Sequence, residues 1–163
     1  MNDEWQTPDW LFKQLDDEFH FEVDLCASRE NRKCKMYCDD VELIVGYKYV
    51  FDDNINCNYW EQIWLEGFAC FMNPPYSRNK IYTCVKTARK LSRRNKCTVV
   101  CILPASTDTK WWGIFWDYEK HRPKPGVEVR FLPKRVAFVN PETGLETKGN
   151  TKGTAIVIIR PLK

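Results

Sequence analysis

Near the amino end, apolar Trp10, Leu11 and Leu15 fall on one helical stripe, behind a start signal at Trp5-Gln6-Thr7-Pro8-Asp9. Thr7 is placed to cap, Pro8 suits the first helical position, and Asp9 favours the positive helix end. The period then falls to two. Phe21, Val23 and Leu25 alternate with Glu22 and Asp24, which predicts a strand ending at Asp24-Leu25-Cys26-Ala27. Residues 28–66 carry a weaker pattern: a short helix over Ser28 to Lys35, a short strand at Met36-Tyr37-Cys38 and a turn at Asp52-Asp53-Asn54. From Ala69 to Met72 a compact apolar run stops against Asn73-Pro74-Pro75-Tyr76, as a buried strand does at a turn. Ile81, Cys84, Val85, Ala88 and Leu91 restore the helical spacing. Thr98 to Leu103 is a second buried-strand run ending at Pro104, and Thr107 to Trp112 starts a further helix in which the tryptophans are packing residues. Val127 to Leu132 alternates, Arg135 to Val139 alternates again, and Thr154 to Ile159 is continuously apolar; these are the closing strands. Residues 140–153, with three glycines, three threonines and two lysines, read as a mobile surface loop.

The strand–helix alternation predicts an α/β sheet with a hairpin-like end, whose ligands sit at the carboxyl ends of its strands. A chain of 163 residues suits one domain over 1–163. Its net charge of +3 conceals a division: residues 1–66 hold 16 acidic and 6 basic side chains, residues 67–163 hold 6 acidic and 19 basic. Such asymmetry suggests a basic face for a polyanion. No apolar run reaches a membrane span, and the acidic start Met1-Asn2-Asp3-Glu4 is unlike a signal peptide, so no membrane and a cytoplasmic location are expected. The eight cysteines, lacking closely paired CxxC spacing, are expected to be core thiols rather than disulfides or metal ligands.

Chemistry concentrates at two strand exits. Pro74 and Pro75 offer no backbone N–H, so with Asn73 they form a stiff edge of acceptors suited to an –NH2 group, and Tyr76 adds a flat face for a planar ring. Asp24 faces the ligand crevice of such a sheet, where a carboxylate holds an ammonium or a hydroxyl, or serves only as a loop or capping group. Asp39 and Asp52 are ribose-binding candidates or plain surface acids. From Ser77 to Lys96 there are eight basic residues and no acids, among them Arg78, Lys80, Lys86, Arg89 and Lys90, which favours contact with phosphates; the competing reading is a solvated outer face.

Trp5-Gln6-Thr7-Pro8, Asp24-Leu25-Cys26-Ala27, Phe71 to Ser77, Leu103-Pro104-Ala105, Thr107 to Trp112 and Arg130-Phe131 together resemble the phage-type DNA adenine methyltransferase (Dam) family. The resemblance spans about Trp5 to Ile159. It implies a Rossmann-like S-adenosylmethionine-dependent methyltransferase fold with a mixed sheet ending in an antiparallel hairpin. It further implies S-adenosylmethionine as donor and the N6 amino group of adenine in DNA as acceptor, reached by direct in-line attack on a flipped-out base. Thr7, Pro8, Asp24, Ala27 and Asn73 would line the cofactor pocket, and Asn73, Pro74, Pro75 and Tyr76 would form the catalytic edge. One departure stands out: many methyltransferases carry a glycine-rich turn after the first strand, and the first glycine here is Gly46. No Pro-Cys dipeptide is present, which argues against covalent carbon-5 cytosine methylation. The same acceptor edge suits another planar amine or amide, such as an RNA base or a protein glutamine, and a non-catalytic DNA-binding module is the alternative from another class. Base readout is expected from loops near residues 104–126 and 133–153.

Overall fold

The computed structural model of the protein describes residues 5–39, 51–52, 66–147 and 151–163. Helix α1 (Asp9–Phe19) precedes strands β1 (Val23–Leu25), β2 (Met36–Cys38), β3 (Phe51–Asp52) and β4 (Ala69–Met72). Helix α2 (Arg78–Asn95) leads to β5 (Thr98–Pro104). A 3-10 turn at Trp112–Ile114 follows, then β6 (Trp116–Asp117), β7 (Arg122–Pro123), β8 (Val127–Phe131) and β9 (Thr154–Ile159).

Seven strands form one mixed sheet in the order β3-β2-β1-β4-β5-β9-β8, and β6 with β7 makes a small separate hairpin. β2, β1, β4 and β5 run parallel, whereas β3 is antiparallel to β2 and β9 is antiparallel to both β5 and β8. The expected mixed α/β sheet with an antiparallel end is therefore present. Its last two strands are joined by the long segment 132–153 rather than by a tight turn.

The sheet is covered on both faces, which is why β5 and β9 are continuously apolar rather than alternating. On one face, Val23, Leu25, Cys70 and Met72 meet α2 residues Ile81, Cys84, Val85, Ala88 and Leu91, with Trp111, Trp112 and Phe115 alongside. On the other, Phe71, Val100, Ile102, Ile156 and Ile158 meet Leu11 and Leu15 of α1 together with Val136 and Phe138. Phe12, Phe21 and Phe71 close this second core with ring centroids 5.0–5.7 Å apart. Cys38, Cys70, Cys84, Cys97 and Cys101 are buried and outside any disulfide, while Cys26 and Cys34 are half-buried.

Several local expectations change. The helix expected over Ser28 to Lys35 is a single turn, because the Ser28 N–H donates to Asn31 Oδ1 at 2.7 Å and the Asn31 N–H donates to Ser28 Oγ at 3.3 Å. Thr7 does not cap α1, for Pro8 occupies the position before Asp9 and its carbonyl accepts from the N–H groups of Leu11 and Phe12. Trp10 lies off the buried stripe and is 52% exposed. Thr107 to Trp112 starts no α-helix: the Thr109 hydroxyl donates back to the Ser106 carbonyl at 2.7 Å, and only the 3-10 turn Trp112–Ile114 forms. Arg135 to Val139 keeps its alternation, with Val136 and Phe138 buried, but it packs onto the α1-side core instead of joining the sheet. Val139 makes isolated antiparallel bridges to Gln6 and Glu146. Asn140 to Thr147 forms a hydrogen-bonded turn, whereas residues 148–150 of the expected loop, Gly46 and most of the stretch 39–66 lie outside the described residues.

Candidate active site

From β1 the chain passes outward to β2, and from β4 it passes through α2 to β5 in the opposite direction. This reversal opens a crevice between the carboxyl ends of β1 and β4, the place where open α/β sheets bind ligands. A cleft there has about 350 Å³ of space, open solvent included, between Thr7, Asp24, Ala27, Asn31, Phe71 and Asn73. Because β1 side chains alternate, Val23 and Leu25 go to the α2 side and Asp24 goes to the α1 side, in register with Phe71. Asp24 is only 3% exposed, and its Oδ2 accepts the Lys33 backbone N–H at 2.7 Å. Burial pushes its carboxyl up to about 7, against the opposing pull of that hydrogen bond and of the Lys33 charge.

The turn after β1 has no glycine, yet it makes the bend that a glycine would make. Cys26 adopts a left-handed φ of 62°, and its Sγ lies 3.6 Å from Cys84 Sγ, so the backbone turns sharply while the side chain packs. Ala27 N–H then donates to the Cys38 carbonyl at 2.9 Å, which ties the cleft wall to β2. Thr7, 2% exposed, leaves its Oγ1 buried without a hydrogen-bond partner among the described residues. Pro8 sits at the head of α1 and is not part of the cleft wall. Asp39 is exposed beyond β2 and also stays out of it; the Asp52 side chain lies outside the described residues.

Asn73 joins this cleft to the acceptor edge. Its Nδ2 donates to the Trp5 carbonyl at 3.2 Å, which turns Oδ1 away from that contact and leaves it available as an acceptor. Pro74 and Pro75 continue the edge into Tyr76, whose hydroxyl donates to the Ile102 carbonyl at 3.0 Å. Burial holds that phenol above its ordinary range, so it remains a donor at any working pH. The Tyr76 ring is fixed edge-on to Phe138, with centroids 6.0 Å apart, while part of its surface stays solvent-accessible.

Residues 1–163 match the family described as DNA N-6-adenine-methyltransferase (Dam). This chain belongs to the Dam family. Among its relatives is a DNA N-6-adenine-methyltransferase of Haemophilus phage HP1 (strain HP1c1), 30% identical over 162 residues that cover 98% of this chain and 79% of that protein. Another, from Escherichia phage T1 and of the same description, is 27% identical over 173 residues, covering all of this chain and 65% of the relative.

The basic residues expected to meet phosphates, or to form a solvated face, are dispersed along α2. Lys86, Arg89 and Lys90 line a common groove, Lys80 lies near the helix start outside it, and the Arg78 side chain lies outside the described residues. Among the described residues no cluster of three or more metal-ligating side chains occurs, and no helix is long and apolar enough to cross a membrane. Sequence reasoning missed the Trp5 and Ile102 carbonyls that orient Asn73 and Tyr76, and the Lys33 N–H on Asp24. Only the Lys33 contact left a trace, in the Ser28-x-x-Asn31 turn chemistry that brings Lys33 back over β1.

Proposed function

We propose that this Dam-family chain methylates adenine in DNA at the N6 amino group, with S-adenosylmethionine as donor. The observation that carries the reading is the position of Asn73: it stands in the wall of the cleft that contains Asp24 and also begins the Pro74–Pro75–Tyr76 edge. The sheet reads as a Rossmann-like methyltransferase fold, supported by the parallel order β2-β1-β4-β5, the reversal between β1 and β4, and antiparallel β9 between β5 and β8.

The residues present fit the cofactor. Asp24 suits its amino group, the Thr7 hydroxyl, unpartnered among the described residues, suits a polar atom, and Phe71 supplies an apolar wall. When bound, S-adenosylmethionine supplies a methyl group already activated on a sulfonium. Asp24, Thr7, Ala27 and Asn73 would hold it at the strand exit. At the edge, Asn73 Oδ1 and the Pro74 carbonyl accept the two amino hydrogens of adenine. This would favour a pyramidal nitrogen, free its lone pair from the ring, and stabilise the positive charge that grows on nitrogen as it takes the methyl group, after which one amino hydrogen leaves as a proton to solvent. Tyr76, tethered through its hydroxyl, stacks on the base after it leaves the helix.

Incubating the purified protein with S-adenosylmethionine and duplex DNA, then digesting the DNA and measuring nucleosides by mass, tests this directly. N6-methyl-2′-deoxyadenosine should accumulate with wild type and be strongly reduced with Asn73→Ala. A failure of wild type to form it on any DNA would sink the proposal.

A further inference from the structure

The surface opposite the cleft carries a second built feature. α2 packs on the face of the sheet that contains Val23 and Leu25, whereas Asp24 and Phe71 open the cleft on the other face. Beside α2, a groove of about 970 Å³, open solvent included, lies between Lys86, Arg89, Lys90 and Arg93 on the helix and Lys110 and Lys124 on the following segment. Among the described residues, no acidic side chain lines it. The Lys124 ammonium is anchored by donation to the Gly113 carbonyl at 2.8 Å, and Tyr82, 40% exposed, forms one wall. Arg89 leaves Nη1 buried with no hydrogen-bond partner among the described residues, although a desolvated guanidinium N–H demands an acceptor. Several cations from two segments, an unsatisfied donor and an exposed aromatic ring match a chain of phosphodiesters better than a compact organic ligand.

We propose that this groove is a phosphate track for the DNA that flanks the target adenine, with Arg89, Arg93 and Lys110 as its principal contacts; it rests on the reading of DNA as substrate. The geometry sets its reach. Lys86 and Arg93 lie 8 and 15 residues beyond Arg78, where α2 leaves the catalytic edge. At 1.5 Å per residue the track covers about 12–22 Å from that edge, the length of roughly four to seven base pairs. A duplex must therefore extend about seven base pairs beyond the target to fill it.

Fluorescence anisotropy against salt tests the track with two duplexes, one extending roughly ten base pairs and one roughly three on each side of the target. The double variant Arg93→Gln/Lys110→Gln should flatten the salt dependence for the long duplex. Its affinity loss between about 50 and 200 mM salt should be about tenfold smaller than that of wild type, and the short duplex should show no such difference. Arg94→Gln/Lys96→Gln removes two exposed charges that do not line the groove and should leave the slope as in wild type. Identical slopes for wild type and the groove variant, or an equal fall in both double variants, would overturn the track. Methyl transfer by wild type, measured on the same long duplex, separates the two readings: an active enzyme with an unchanged slope refutes the groove alone.

Discussion

Asn73 uses its two amide ends differently, and each end has its own consequence. Asn73→Ala removes both the acceptor and the tether to Trp5, so kcat should fall roughly 100- to 1,000-fold in single-turnover assays while cofactor and DNA binding largely survive. Asn73→Asp keeps an acceptor but cannot donate to Trp5 when ionised, and its rate should lie between wild type and alanine. Asp24 makes pH a second probe of the cleft. Its folded-state carboxyl titrates near 7, above the unfolded value of about 3.9, so it contributes stability below about pH 4 that is lost as the pH rises to about 7. Asp24→Asn mimics the protonated form, so at pH 8 it should be more stable than wild type, by at most about 4 kcal/mol in denaturant titrations. Cofactor binding should show the opposite trend, tightening in wild type as Asp24 ionises and staying weak and flat with pH in Asp24→Asn. Asn73, Asp24 and Tyr76 were legible because their side chains are distinctive beside a strand exit. The Trp5 and Ile102 carbonyls were not, since a backbone acceptor carries no mark of residue type.

Among the elements, α1 depends on more than its apolar stripe. Glu18 receives Arg130 in a bidentate pair at 2.7 Å for each bond, Arg130 also donates to Glu128, and Glu128 accepts from Arg160 at 3.1 Å. The Arg130 and Arg160 guanidiniums lie over the Phe19 ring, so the end of α1 is fastened to β8 and to the residue after β9. Hydrogen bonds from Arg130 hold the Glu18 and Glu128 carboxyls below their usual range. That stability is present above about pH 4 and disappears as pH falls through their lowered folded values. Arg130→Met should cost about 1 kcal/mol at pH 7, a modest figure because solvent screens the pairs, and should cost little once the carboxylates are protonated. A stability difference that persists in full at pH 2 would assign the effect to packing. α2 and β9 were readable from period and continuous apolarity. The helices expected at Ser28 to Lys35 and Thr107 to Trp112 failed because side-chain oxygens bonded the local backbone, a competition that helical spacing does not register.

For the whole molecule, the cleft joins parts far apart in the chain: Thr7 before α1, Asp24 in β1 and Asn73 after β4. A ligand held there stabilises all three together. S-adenosylmethionine at about 100 times its Kd should add about 2.7 kcal/mol and raise Tm by roughly 5–10 °C, and Asp24→Ala should remove most of that shift. No thermal response at saturating cofactor would contradict the assignment of the cleft. The sequence by itself determined that an α/β sheet forms, where its main strands and its two helices α1 and α2 fall along the chain, and the asparagine–proline–proline–tyrosine edge, because period, proline chemistry and side-chain type are local properties. The tertiary structure decided that the chain reverses direction between β1 and β4, that Asp24 and Asn73 share one cleft, and that Lys110 and Lys124 face the cations of α2. It also moved Arg135 to Val139 out of the sheet. The physical reason is that strand order and the meeting of distant segments follow from how two apolar faces are covered at once, a competition among long-range contacts that no single stretch of the chain encodes.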